Sequence, residues 1–304
     1  MDFLYFILGS AFIFLGSTYL IDNSIIIARS LRISPFVIGL TIIAFGTSLP
    51  ELVVSVMASI RGEGDIVIGN VVGSNIANVF LVLPIILLFK PIKVEINLIK
   101  QSIIYLFIAT LILCVLLAYQ LLYFIYGVVL LCLFCLYIAN QLNGKESIRE
   151  NTNIKFLEFK MKHVAYIIFG IILLALGSEL FINSAIAIAD FFNVPKIVIS
   201  VSLVAFGTSM PELATSIVAI RKNEPNFVIG NILGSNIINI FLVLGSSLMI
   251  NDISIQFNSI YFPYLFLIIS SLLFFLILLF QNLLNRVHSF TFLLLYILFI
   301  YLTL

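Results

Sequence analysis

The sequence predicts an all-α integral membrane protein: ten transmembrane helices forming two inverted-topology five-helix repeats, with both termini outside. Three observations lead there. Hydrophobic residues make up 62% of the chain and charged residues 10%, where a soluble domain carries roughly a quarter charged residues. The apolar residues gather into ten runs of membrane-spanning length, about 17 to 25 residues each. A shift of 161 residues lays 15–83 over 176–244 without a gap, and 33 of those 69 positions are identical.

The runs cover about 3–28, 34–60, 65–89, 101–118, 121–140, 163–189, 195–220, 226–250, 259–280 and 286–303. They are continuously apolar, whereas the strands of a membrane β-barrel alternate apolar and polar residues over about ten positions. The opening "MDFLYFILGSAFIFLGSTYLI" has no basic leader and no small-residue cleavage site, so the first run reads as a retained span. No appended soluble domain is expected. Cys114, Cys132 and Cys135 fall inside apolar spans. Although the last two form a CxxC, that setting suits packing better than metal or redox chemistry. His163 and His288 fall at span ends, where an interfacial position is expected.

Basic residues set the orientation. Thirteen of the fifteen lie in the connections after spans 1, 3, 5, 7 and 9, leaving only Arg61 and Lys196 on the other side. The positive-inside rule therefore puts the termini outside and the polar stretch 141–162 in the cytoplasm. The chain divides into a first repeat, 1–140, with its duplicated motif at about 37–83, the 141–162 linker, and a second repeat, 163–304, with its motif at about 198–244. Five spans is an odd number, so the second copy enters the membrane from the opposite side, as in secondary transporters. Identities concentrate in "AFGTS-PEL" and "VIGN--GSNI-N-FLVL", while apolar neighbours drift among Ile, Val and Leu. Polar positions are the ones retained.

Those positions carry chemistry. Pro50 and Pro211 have no N–H for the preceding turn, so spans 2 and 7 should bend near 46–50 and 207–211 and release carbonyls. A proline kink serving helix packing alone, with Thr47 and Ser48 bonded back to the backbone, is the alternative. Glu51 and Glu212 follow the prolines at once, and an ionisable residue deep in a span points to function. Ser74 with Asn78, and Ser235 with Asn239, are spaced i, i+4 on one helix face. At about 1.5 Å rise per residue they reach the middle of a core roughly 30 Å thick. Gly69, Gly73, Gly230 and Gly234 permit close helix approach. Carboxylate, hydroxyl, amide and carbonyl oxygens suit hard cations, calcium or an alkali ion, rather than zinc or copper. Two glutamates neutralise one Ca²⁺, whereas an empty pair of buried carboxylates is disfavoured by desolvation and repulsion. That penalty favours obligatory exchange.

At "GTSLPE" with "GNVVGSNIAN" and "GTSMPE" with "GNILGSNIIN" the sequence resembles the sodium/calcium exchanger family of the cation/calcium antiporter superfamily. The resemblance implies Na⁺/Ca²⁺ counter-transport through a core of spans 2, 3, 7 and 8, with spans 1 and 6 sliding across it. It implies Glu51 and Glu212 as central ligands, Thr47, Ser48, Thr208 and Ser209 as hydroxyl or carbonyl ligands, and Ala44 and Ala205 as carbonyl donors. Ser74, Asn78, Ser235 and Asn239 would complete the cage. Asn78 and Asn239 are both amides where several relatives carry an aspartate, which favours simple Na⁺/Ca²⁺ exchange over potassium co-transport. The 22-residue linker leaves no room for inserted calcium-sensing domains. Glu179 matches Thr18 and has no acidic repeat partner; it lines an access path or reaches a polar interface.

The expected function is electrogenic exchange of three Na⁺ for one Ca²⁺ by alternating access, extruding Ca²⁺ across the plasma membrane. H⁺/Ca²⁺ antiport through the same glutamates is the runner-up, with a cation channel or ion sensor behind it. An enzyme is not expected, because the histidines lie away from the polar core. Ca²⁺ and Na⁺ are substrates and no cofactor is required. The lipid bilayer is the expected surrounding, with neither nucleic acid nor an obligatory protein partner implied.

Overall fold

The computed structural model describes residues 2–120, 122–143, 160–192, 205–255, 257–281 and 283–303. The linker positions 144–159 and the first part of the run at 195–220 lie outside them. The helices are α1 (Asp2–Leu31), α2 (Pro35–Thr47), α3 (Leu49–Ile60), α4 (Gly64–Phe89), α5 (Ile96–Ala118), α6 (Phe124–Asn143) and α7 (Met161–Phe191). They continue with α8 (Ala205–Thr208), α9 (Met210–Arg221), α10 (Pro225–Leu248), α11 (Phe257–Phe280) and α12 (Arg286–Thr303). Among the described residues eight helices are long and apolar enough to cross a membrane, or nine if α2 and α3 count as one bent span.

Local chemistry explains the boundaries. Helix α1 stops at Arg32, which adopts a left-handed φ of 56°. Ser34 then accepts a hydrogen bond from the Phe36 N–H at 3.3 Å, and Pro35 opens α2, a capped start in which the missing proline N–H costs nothing. The expected bend is present: α2 and α3 meet at 44°, with the break at Ser48. Ser209 repeats it between α8 and α9, with φ −83° and ψ 4° against −85° and 7° at Ser48. Each proline therefore sits in the first turn of a new helix. Three wider π-type turns, Gly39–Ile43, Asn78–Val82 and Asn239–Leu244, lie within α2, α4 and α10.

Helices α4 and α10 are innermost: 83% and 94% of their spans are buried, against 44% or less for the other long helices. Glycine lets α10 touch α2 backbone to backbone. A Cβ on Gly230 would stand 2.4 Å from the Phe36 carbonyl oxygen, and one on Gly234 would stand 2.4 Å from that of Leu40. Gly69, by contrast, has no described neighbour within 4 Å. Gly230→Ala is expected to destabilise the protein by about 1–3 kcal/mol, the cost of overpacking a tight contact; its melting temperature in detergent should fall, whereas Gly69→Ala should change it little.

On the outside, α1 and α7 cross through two reciprocal glycine contacts. Gly9 faces Gly177 and Gly16 faces Gly170, so the two chains run antiparallel where they meet. Alternate connections gather on opposite faces. On one face Arg29 pairs with Glu224 at 2.9 Å, Lys222 pairs with Asp22, and Lys90 donates to Asn223 at 2.7 Å. There too a short strand β1 (Ile92–Lys93) pairs antiparallel with β2 (Leu283–Leu284). On the other face Ser59 donates to the Ser247 carbonyl at 2.7 Å, and the Phe124 N–H donates to Asp252 at 2.7 Å.

Two expectations need correction. Cys132 and Cys135 point outward from α6, exposed on the apolar surface, and only Cys114 is partly buried. They coat the outside because that face of α6 has no helix over it. His163 begins α7 yet is buried, with Nδ1 3.0 Å from Asn23 Oδ1 of α1. A polar partner on the neighbouring helix draws the ring inward.

Candidate ion-binding site

The broken helices place Glu51 and Glu212 in the first turns of α3 and α9, where helix dipoles favour negative charge. Both are essentially inaccessible, at 1% and 0% exposure, although each is ionisable. The two carboxylates fall in one buried region, since Ser48, three residues before Glu51, reaches Glu212. Hydroxyls of Thr47, Ser235 and Ser48 surround Glu212, with Ser48 Oγ 3.4 Å from Glu212 Oε1. Residues from α2, α9 and α10 thus meet across the repeat boundary.

Thr47, Ser74, Asn78, Thr208, Ser209, Ser235 and Asn239 are all buried. Ser74 Oγ lies 3.5 Å from Thr208 Oγ1, and Thr47 Oγ1 lies 3.4 Å from Ser235 Oγ, so each repeat contributes a hydroxyl to the other's broken helix. Thr47 bonds in two directions. Its hydroxyl reaches back to the Ala44 carbonyl at 3.3 Å and across to Asn231 at 3.2 Å. The Ala44 carbonyl also accepts the Ser48 N–H at 3.0 Å. Ala205 opens α8 at the equivalent position. Glu179, exposed on α7, stands apart from this buried set.

Several buried atoms have no hydrogen-bond partner among the described residues, including both carboxylate oxygens of Glu51, Oε2 of Glu212, Oγ of Ser209, Oδ1 of Asn78 and both amide atoms of Asn239. Each such group costs about 1–3 kcal/mol unless something satisfies it. Here the orphans are mainly oxygens, and three of them belong to the two carboxylates. Oxygen cages of this composition fit a hard cation such as Ca²⁺ or Na⁺.

Sequence reasoning passed over a second ring of amides. Asn70 Nδ2 donates to the Glu51 carbonyl at 3.0 Å and to Ser55 Oγ at 2.8 Å. Asn231 Nδ2 donates to Thr215 Oγ1 at 3.3 Å. Asn236 accepts from Asn78 Nδ2 at 2.9 Å and donates to the Asn75 carbonyl at 3.4 Å. Hydrogen-bonded this way, Asn78 turns its unpartnered Oδ1 away from Asn236. The signal was available, since Asn70, Asn75, Asn231 and Asn236 are identical polar positions within the duplicated "VIGN--GSNI-N".

The family model described as sodium/calcium exchanger protein matches residues 1–143 and 162–304. The chain belongs to the sodium/calcium exchanger family. Among its exchanger relatives, the sodium/calcium exchanger MaX1 of Methanosarcina acetivorans is 32% identical over 314 residues, covering 86% of this chain and 87% of the relative. An uncharacterised membrane protein of Methanocaldococcus jannaschii is 40% identical over 248 residues, 81% of each chain. A solved structure of the sodium-calcium exchanger NCX_Mj, soaked with 10 mM Na⁺ and 10 mM Sr²⁺, matches with a TM-score of 0.83 at 34% identity, covering 98% of this chain and 96% of that one. The exchanger fold of this multi-pass membrane protein is thus shared over nearly its whole length.

Proposed function

We propose that the protein is a Na⁺/Ca²⁺ antiporter that extrudes Ca²⁺ across the plasma membrane by alternating access, exchanging three Na⁺ for one Ca²⁺ with net charge movement. One observation carries the reading: two buried carboxylates, one from each related broken helix, fall in one buried region with oxygens that have no partner among the described residues. Glu51 and Glu212 are the central ligands for both ions. Thr47, Ser48, Ser74 and Asn78, with Thr208, Ser209, Ser235 and Asn239, complete the cage, and the carbonyls of Ala44 and Ala205 contribute from the breaks. Membership in the exchanger family, and the ions named for the relatives, support the choice of cargo. Two carboxylates balance one Ca²⁺ and carry three Na⁺ with one charge in excess.

Ten spans in two inverted repeats, 1–140 and 163–304 joined by the 141–162 linker, are the architecture we propose for this cycle. The antiparallel crossing of α1 with α7 and the alternation of connections between two faces support it. The face holding Arg29, Lys90 and Lys222 would be cytoplasmic, with both termini outside.

Vesicles reconstituted with the protein and loaded with Na⁺ are expected to take up Ca²⁺ in proportion to the outward Na⁺ gradient. Uptake driven instead by a proton gradient in the absence of Na⁺ would assign H⁺/Ca²⁺ antiport. Flux needing no counter-ion would indicate a channel, and binding without flux a sensor.

A further inference from the structure

A hydroxyl that coordinates a cation must turn its lone pairs toward the ion, so its proton needs an acceptor elsewhere. Serine and threonine rotate freely, and something in the protein must choose the direction. Asn70 Oδ1 lies 3.4 Å from Ser74 Oγ, and Asn231 Oδ1 lies 3.2 Å from Thr47 Oγ1. We propose that Asn70 and Asn231 are positioning residues that take the protons of Ser74 and Thr47 and so hold those hydroxyl oxygens ready for the ion.

The orientation of both amides follows from their other neighbours. Nδ2 of Asn70 faces the Glu51 carbonyl, which can only accept, so the amide cannot be reversed. Nδ2 of Asn231 faces Thr215 Oγ1, whose proton is committed to the Pro211 carbonyl at 2.8 Å and the Glu212 carbonyl at 3.1 Å. Thr215 must therefore accept, Asn231 must donate to it, and Oδ1 is left for Thr47. In both repeats the polarity originates at backbone carbonyls beside the break and passes through a side-chain amide to a hydroxyl. Burial keeps water from substituting, since Asn70 is 7% exposed and Asn231 is 1% exposed. Of the rivals for the Thr47 proton, the Ala44 carbonyl and Ser235 Oγ are slightly farther away, at 3.3 and 3.4 Å, and the Glu212 carboxylate, also beside this hydroxyl, is the group a bound cation would occupy.

This inference rests on the cation-site reading and is tested by Ca²⁺ binding rather than exchange. Calorimetry with CaCl₂ on the purified full chain in Na⁺-free detergent gives Kd for the wild type, Asn231→Ala, Thr47→Val and the double variant. Asn231→Ala is expected to weaken binding about tenfold, the order expected for a lost hydrogen bond to a buried group. In the Thr47→Val background it should add less than about twofold, because coupled residues are non-additive. The Asn70→Ala and Ser74→Ala pair forms an independent cycle in the other repeat, available if an Asn231 variant fails to fold. Additive losses in a folded cycle, or unchanged Kd in the asparagine variants, would overturn the assignment. A wild type that binds Ca²⁺ without exchanging it for Na⁺ overturns the antiport reading alone.

Discussion

Glu51→Gln and Glu212→Gln are each expected to reduce Na⁺-driven Ca²⁺ uptake to near background while leaving the protein folded. Glutamine keeps the shape and one oxygen but removes the charge. In a buried site, stripping one partner from a charge pair costs about 3–5 kcal/mol, which is at least roughly a hundredfold in affinity. The loss should be similar for the two residues, since both are buried and both open a helix after a break. Removing the charge also removes the cost of burying an ionised carboxylate. Each variant should therefore melt no earlier than the wild type in Ca²⁺-free buffer while losing the stabilisation that Ca²⁺ confers. Full retained exchange in both variants would remove the glutamates from the centre of the site.

Membrane voltage provides the second large effect. With three Na⁺ leaving a vesicle for each Ca²⁺ that enters, one net positive charge departs per cycle. An interior made positive by 100 mV then adds about 2.3 kcal/mol to Ca²⁺ accumulation, or roughly fiftyfold in the ratio reached at equilibrium. A valinomycin clamp with K⁺ gradients sets the potential, and retained Ca²⁺ reports the ratio. An electroneutral exchanger would give the same accumulation at every potential.

Much of this architecture could be read from the residues. Length and apolarity located the helices, because a segment in lipid must satisfy its own backbone; α1, α4, α10 and α12 begin and end within a few residues of the expected bounds. The breaks followed from Pro50 and Pro211, and the polar set followed from its retention in both copies. Less legible were features that depend on neighbours. The π-type turns at Asn78 and Asn239 are rare single-turn variants within an α-helix, for which helix propensity gives no sign. The pairing of β1 with β2 involves two residues on each side, too few for any period to show. Asn70 and Asn231 were overlooked as ligand supports because their importance lies in the direction of their amides, and direction is set by carbonyls brought close only on folding.

When two related halves trade roles in the proposed alternating-access cycle, the two arrangements are related by a two-fold axis and would be degenerate if the halves were identical. On one face Asp22 and Arg29 of α1 pair with Lys222 and Glu224. The positions related by the 161-residue shift are Asn183 and Asp190, with Arg61 and Glu63. An amide opposite an arginine and two acids opposite each other cannot form the same ties. Each exposed pair is worth at most about 1 kcal/mol, yet two of them separate otherwise equal states by a factor the cycle would register. In the proposed cycle the arrangement with its pairs made is the resting one, and that preference should fade as rising ionic strength screens the charges.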